Sequence, residues 1–299
     1  MKFGLIPRRR FSPLLIGVIV DVLLLGAATA LAEPHRIVST SPSITEALFA
    51  LGLGPRVVGV SNYCEYPPEV KDLPKVGTYL RPDAERIARL NPDLVILHKL
   101  PNDLTGRLTA LHIPYAEVDR GGLTDAYTEI RQIGEAAGIK EQAEKLVSKI
   151  HARLDQIRAL TAGKKKPSVI FVIGRDPGTL SNLIVVGRDN FLNDLIEVAG
   201  GINVIAQDST QPYPHISLET ILRDHPDVLI DMGDIGDSAD ERQRKATENR
   251  ALWNAVPNLS AVQNDRVYCL TSTAFVVPGP RVTEAAEILF TVLQGKKPE

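Results

Sequence analysis

Side chains that could hold a small molecule follow the apolar, β-branched runs of this sequence. They are Ser41, Ser43, Tyr63, Glu65, Tyr79, Arg81 and His98 in the first half, and Tyr213, His215 and Phe275 in the second half. A tyrosine ring has a flat apolar face and a polar tip, which suits a large planar ligand. Each tyrosine could instead anchor a loop. As a set, these residues predict a ligand-binding site.

Motifs for catalysis are absent from the sequence, which has no G-x-S-x-G elbow, no P-loop and no H-E-x-x-H. A metal-ion site would need three or four convergent ligands. Of the histidines, only His98 and His215 belong to the predicted site. We therefore expect a binding protein with no catalytic residues, no resident cofactor and no metal site of its own. Direct metal-ion binding and enzymatic activity stay as alternatives.

These side chains are positioned by β-branched runs that alternate with helical patterns, which is typical of an α/β fold with mainly parallel sheets. The predicted strands are 36–39, 56–60, 94–97, 115–118, 168–173, 184–186, 228–231 and 266–270. The predicted helices are 43–51, 84–90, 124–137, 190–198, 217–223 and 281–293. Ligands of open α/β sheets bind outside the carboxyl ends of the strands. The candidate side chains follow several of these strands.

A long amphipathic helix is predicted between the two halves. Apolar residues recur at spacings of three and four from Ile139 to Leu160, and Gly163 and Pro167 end the pattern. Counted over 141–162, the helix would span roughly 33 Å at about 1.5 Å per residue. We expect a stiff connection between two lobes, with bounds of 33–138 for the N-terminal lobe, 139–164 for the helix and 165–299 for the C-terminal lobe.

An internal repeat supports the two lobes. AERIARLNPDLVIL, which begins at Ala84, aligns with LETILRDHPDVLID, which begins at Leu218. Asp83 and Ser217 both precede the repeat at a helix N-cap position, and each Pro-Asp ends a short helix before an apolar strand. Two lobes of related plan that face each other would form a cleft.

The N-terminus has the features of a secretory signal peptide. Arg8–Arg10 precede an apolar run, and Ala30-Leu31-Ala32 resembles a cleavage site. We expect export, with 1–32 removed and no lipid anchor because no cysteine lies at the cleavage site; the export route stays open. The net charge of −2 gives no case for nucleic acid binding. The two cysteines, Cys64 and Cys269, are expected to be separate thiols.

Long stretches of the sequence resemble the periplasmic binding proteins for cobalamin and iron–siderophore complexes, and above all the cobalamin-binding members. The stretches are RIVSTSPSITEALFALGLGPRVVGVSNYCEYPPEV from Arg36, LPKVGTYLRPDAERIARLNPDLVIL from Leu73, and DSTQPYPHISLETILRDHPDVLI from Asp208. The resemblance implies two Rossmann-like lobes joined by one long rigid helix, a ligand cleft between them, a monomer, and a periplasmic location.

The resemblance also implies a partner, an ABC transporter permease with its cytoplasmic ATPase. In this family a glutamate on each lobe docks into permease arginines, and Glu85 and Glu219 match those positions. A carboxylate and an arginine form bidentate, charge-assisted hydrogen bonds, which fix orientation. Each glutamate could instead only favour the first turn of its helix.

The resemblance implies cobalamin or a related corrinoid as the ligand. The chain departs from that pattern because His98 and Ala274 stand where a tryptophan is expected, and the single tryptophan, Trp253, lies outside the cleft loops. A ferric siderophore or haem is therefore the alternative ligand. Arg81, His98 and His215 would then supply charge or a metal contact.

Overall fold

Strands and helices alternate through residues 33–232 and 238–296, which are the residues that the computed structural model describes. The predicted signal peptide at 1–32 lies outside the described residues. Within them, no helix is both long and apolar enough to cross a membrane. The α/β fold with mainly parallel strands is confirmed.

The N-terminal lobe is built on a four-stranded parallel sheet with the strand order β2-β1-β3-β4. Its elements are β1 (Ile37–Ser39), α1 (Pro42–Ala50), β2 (Val57–Val60), α2 (Ala84–Arg89), β3 (Leu94–His98), α3 (Leu104–Ala110), β4 (Tyr115–Val118) and α4 (Leu123–Ala136). The strands β1 and β3 are buried along their whole length, which explains the apolar runs Ile37–Val38 and Leu94–Leu97 in the sequence.

A second sheet forms the C-terminal lobe, with the order β10-β9-β5-β6-β8 and β7 paired to β5. The helix α5 (Lys140–Thr161) leads into this lobe. The elements of the lobe are β5 (Ser168–Gly174), β6 (Leu183–Val185), α6 (Phe191–Val198), β7 (Ile202–Asn203), α7 (Ile205–Asp208), β8 (His215–Ile216), α8 (Leu218–Asp224), β9 (Val228–Asp231), α9 (Ala239–Asn254), α10 (Ser260–Gln263), β10 (Val267–Cys269) and α11 (Val282–Leu293). The strands β5, β7, β9 and β10 pair in parallel, whereas β6 is antiparallel to both β5 and β8.

The internal repeat has a structural counterpart in each lobe. Asp93 accepts hydrogen bonds from the backbone N–H groups of His35 and Arg36, at 2.8 and 2.9 Å, just before β1. Asp227 accepts from the backbone N–H of Ser168 at 2.9 Å, at the start of β5. Each repeat therefore supplies an aspartate whose carboxylate binds the backbone at the start of the first strand of its lobe.

The helix α5 connects the two sheets and has 22 residues, so it is about 33 Å long at 1.5 Å per residue. It buries a stripe that includes Ala143, Ile150 and Leu154. Leu160, which the apolar pattern included, is largely exposed. The helix packs against α4 of one lobe and against α6 and α11 of the other. A helix held on both sides acts as a stiff connection.

A second link joins the lobes through a nearly buried ion pair. Arg281 donates from Nε and Nη2 to the two carboxylate oxygens of Glu46, at 2.9 and 2.6 Å. Its guanidinium also lies 4.1 Å from the ring centroid of Tyr66. Glu46 belongs to α1 and Arg281 precedes α11, so this bidentate pair fixes the orientation of one lobe on the other.

Candidate functional site

A cleft of about 660 Å³ lies between the lobes and is lined by residues of both. In the N-terminal lobe the lining follows the carboxyl ends of all four strands, and in the C-terminal lobe it includes the segment after β6 and the loop before β8. This is the position where open α/β sheets bind ligands. The volume falls within the range of about 300–1,000 Å³ that is typical of small-molecule sites.

Six of the ten residues proposed from the sequence as ligand contacts line this cleft. They are Ser41, Ser43, Tyr63, Tyr79, His98 and Tyr213. Four others lie elsewhere. Glu65 is 3.5 Å from Arg242, and Arg81 and His215 are exposed outside the lining. The placement of Phe275 in the cleft is corrected, because its ring is buried in the core with its edge toward Phe171.

Several lining residues were not anticipated from the sequence. They are Pro42, Thr78, Leu80, Arg120, Gly121, Gly122, Glu129, Asp189, Asn190, Phe191, Pro212, Val276, Val277 and Pro278. Arg120 could have been found, because it comes two residues after β4. Glu129 carries no such signal because it lies in the middle of α4, where a glutamate is ordinarily a surface residue.

The rim of the cleft is apolar and open to solvent. Tyr63, Leu80, Tyr213 and Val276 are 61, 65, 47 and 54% exposed, and all four line the cleft. Exposed apolar side chains that cluster around one concavity are typical of a ligand-binding surface.

A network of buried hydrogen bonds lies at the base of the N-terminal wall. The Nε2 atom of His98 is 3.0 Å from Oγ of Ser41 and 3.2 Å from Oγ of Ser43. Burial, with a further contribution from the nearby Arg120 charge, lowers the pKa of His98 to about 4. The imidazole is therefore neutral near pH 7, and its Nε2 atom is occupied by the two serines.

The aromatic ring of Tyr79 connects this network to Arg120, a cationic side chain of the lining. The ring meets the His98 imidazole edge-on, at a centroid separation of 5.6 Å. The Arg120 guanidinium lies 5.8 Å from the same ring centroid. Burial raises the pKa of the Tyr79 phenol, so the ring is uncharged at neutral pH.

Glu129 contributes a buried carboxyl group to the same wall. Its side chain is only 3% exposed, and its Oε1 atom has no hydrogen-bond partner. Burial raises the pKa of this carboxyl to about 8, against the opposing effect of the Ser43 hydroxyl. The group is therefore mostly protonated at neutral pH.

The predicted docking glutamates lie at the surface. Glu85 is in the first turn of α2 and Glu219 is in the first turn of α8, and both are exposed. Glu85 is 3.9 Å from Arg89 and 4.0 Å from Arg107, and such solvent-exposed pairs are worth little energy. Both carboxylates are thus free to change partner.

Groups of metal-ligating side chains and a disulfide are both missing from the described residues. No set of three or more histidine, cysteine, aspartate or glutamate side chains in that part of the chain could hold a metal ion. Cys64 and Cys269 are both free thiols. Trp253 is fully buried, and its Nε1 donates to Oδ2 of Asp231 at 2.6 Å.

Comparison with known proteins places this architecture in one family. The model of the periplasmic binding protein family matches residues 37–274. The uncharacterized ABC transporter substrate-binding lipoprotein YvrC of Bacillus subtilis is 32% identical over 265 residues, which cover 86% of this chain and 79% of YvrC.

Two solved structures have the same fold. The periplasmic heme-binding protein RhuT of Roseiflexus sp. RS-1, in its apo form, superposes with a TM-score of 0.72 at 29% identity, covering 87% of this chain and 99% of RhuT. The periplasmic vitamin B12 binding protein BtuF of Vibrio cholerae gives a TM-score of 0.70 at 28% identity, covering 88% and 97%. The chain belongs to the periplasmic binding protein family.

Proposed function

We propose that this chain is the periplasmic substrate-binding component of an ABC importer, and that it captures cobalamin or a related corrinoid. The observation that carries the proposal is the open, apolar rim formed by Tyr63, Leu80, Tyr213 and Val276 around a cleft between two lobes. Burial of apolar surface is worth about 25 cal/mol per Å², so a large flat ligand would gain affinity by covering this rim.

The relatives support the corrinoid assignment. BtuF of Vibrio cholerae, a vitamin B12 binding protein, shares the fold over 88% of this chain. The chain replaces the expected tryptophans with smaller or more polar groups, since its single tryptophan is buried away from the cleft. Tyr63 and Tyr213 would then supply the flat surfaces on which the ligand packs.

Haem is the second candidate, and two observations favour it. RhuT, a heme-binding protein, is 29% identical to this chain. In addition, Arg120 places a cation in the cleft, where it could pair with a carboxylate of haem. His98 is a poor axial ligand in the present arrangement, because its Nε2 atom is engaged by two serine hydroxyls.

Calorimetric titration of residues 33–299 tests the ligand. We expect heat of binding with cyanocobalamin and with dicyanocobinamide. Parallel titrations with haemin and with a ferric siderophore decide which class of ligand the protein binds. Binding of haemin alone would replace the corrinoid by the second candidate. Heat with the ferric siderophore alone would contradict both.

The partner and the location follow from the same proposal. The permease would be contacted by Glu85 and Glu219, one on each lobe. The chain would be exported to the periplasm, and the signal peptide at 1–32 would be removed.

A further inference from the structure

The carboxyl group of Glu129 is unusual among the charged side chains of this protein. It lines the cleft but is almost entirely buried, and its Oε1 atom lacks a hydrogen-bond partner. A buried polar atom without a partner is costly, because it has lost its hydrogen bonds to water. Here the atom belongs to a group that lines the ligand cleft, where a bound ligand could supply the missing partner.

The charges near Glu129 do not pair with it. Arg281 is engaged by Glu46 of α1, with two hydrogen bonds of 2.6 and 2.9 Å, and by Thr273. Arg120 influences His98 and Tyr79 instead. The nearby Glu46 carboxylate repels a second negative charge, and this favours the neutral acid form of Glu129.

The other polar groups of this wall already have hydrogen-bond partners, so they do not offer a free donor to a ligand next to Glu129. The Ser43 hydroxyl at the start of α1 is shared by Ser41, His98 and Glu129 itself. The neutral His98 at the end of β3 is tied to the same serines. His151 of α5 contacts the ring of Tyr127, at a centroid distance of 4.0 Å.

We propose that Glu129 is a specificity-determining residue of the cleft and acts as a neutral carboxylic acid that donates a hydrogen bond to an acceptor oxygen of the ligand. This inference rests on the proposed function, and it adds the chemistry of one contact. The acceptor is an amide carbonyl in a corrinoid and a carboxylate in haem. Ionisation of Glu129 removes the donor and places a negative charge against the acceptor, so binding weakens as the pH rises.

The test compares the protein with its Glu129→Gln variant in titrations with cyanocobalamin and haemin between pH 6.5 and 9.5. For the unaltered protein we expect Kd to rise by up to tenfold per pH unit above about 8, because the proton must remain on the acid for binding. Glutamine keeps an N–H donor and cannot ionise, so its Kd should change less than about threefold over the same range.

A second variant and a control complete the experiment. Glu129→Leu removes the donor at every pH, and we expect its Kd to be at least about tenfold higher than that of the unaltered protein at pH 6.5. Glu135→Gln, an exposed substitution on the same helix, should retain the full pH dependence.

Infrared spectroscopy of the ligand-free protein gives a readout that does not depend on the ligand. We expect a protonated-carboxyl band that is present at pH 7, is lost above about pH 8 and is absent from Glu129→Gln. Absence of the band at pH 7, or a Kd of the unaltered protein that is as flat as that of Glu129→Gln, would overturn the role of Glu129. If the band is present but none of the compounds binds, the proposed function fails and with it the assigned contact.

Discussion

Tyr63 and Tyr213 are aromatic side chains, and each is about half exposed or more. They belong to different lobes and line the same cleft. We expect Tyr63→Ala and Tyr213→Ala each to weaken cyanocobalamin binding by about 1–3 kcal/mol, because aromatic anchors dominate the energy of binding sites. Calorimetric Kd values measure the loss.

Tyr115→Ala is the matched control for these two substitutions. Tyr115 is also an exposed tyrosine, but it belongs to β4 and does not line the cleft. Its replacement should leave Kd unchanged. An equal loss of affinity in all three variants would mean that the rings act through the stability of the fold, and no loss in any would mean that neither ring contacts the ligand.

The individual cleft residues that sequence reasoning could find are those that directly follow a strand. Ser41 and Tyr63 come within three residues of a strand end and His98 is the last residue of β3, and the strand ends could be predicted to within one or two residues. Glu129 could not be found, because its position in the middle of a helix does not indicate that its side chain is buried against the wall of the cleft. Phe275 was misplaced because an aromatic residue in a loop can turn into the core as easily as into a cleft.

At the scale of the elements, most of the fold could be predicted, since its signals are local. The long helix α5 follows from an apolar pattern with a period near 3.6, and the equivalent roles of Asp93 and Asp227 follow from the repeat. The short strands β7 and β8, with two residues each, were missed because so few residues carry no recognisable pattern.

The packing of α4 on α5 depends on Gly134. A Cβ atom at this position would lie 2.3 Å from Cβ of Ala143 on α5. Glycine to alanine normally favours a helix by up to about 1 kcal/mol. Here we expect Gly134→Ala to lower the free energy of unfolding by about 1–2 kcal/mol, because the two helices must move apart. Urea unfolding measures the change.

Gly106→Ala is the control for helix propensity. Gly106 lies in α3, and an added Cβ would meet only the flexible side chain of Asp103. This variant should be as stable as the unaltered protein or up to about 1 kcal/mol more stable. If Gly134→Ala is stabilised to the same extent, the close contact between α4 and α5 is not a constraint on the connection between the lobes.

At the scale of the whole molecule, the sequence could not predict how the lobes are fixed against each other. Glu46 and Arg281, which form the buried ion pair between the lobes, are 235 residues apart and neither belongs to a recognisable motif. The depth of the cleft depends on this apposition. The repeat indicated that there are two lobes. Contacts between residues far apart in the sequence determine how the lobes face each other, and therefore which side chains line the cleft.

The two-lobed arrangement also presents one exposed glutamate on each lobe, at the start of α2 and α8. The double variant Glu85→Lys/Glu219→Lys places positive charges where permease arginines are expected to dock, and like charges at an interface are strongly unfavourable. We expect uptake of labelled cyanocobalamin, in cells that contain this chain with its permease and ATPase, to fall to background while Kd for the ligand is retained.

Glu135→Lys/Glu248→Lys makes the same change in net charge at two other exposed positions, again one on each lobe, and should keep uptake. Equal loss in both double variants would indicate a general effect of charge, and full uptake by the first would show that these glutamates do not dock.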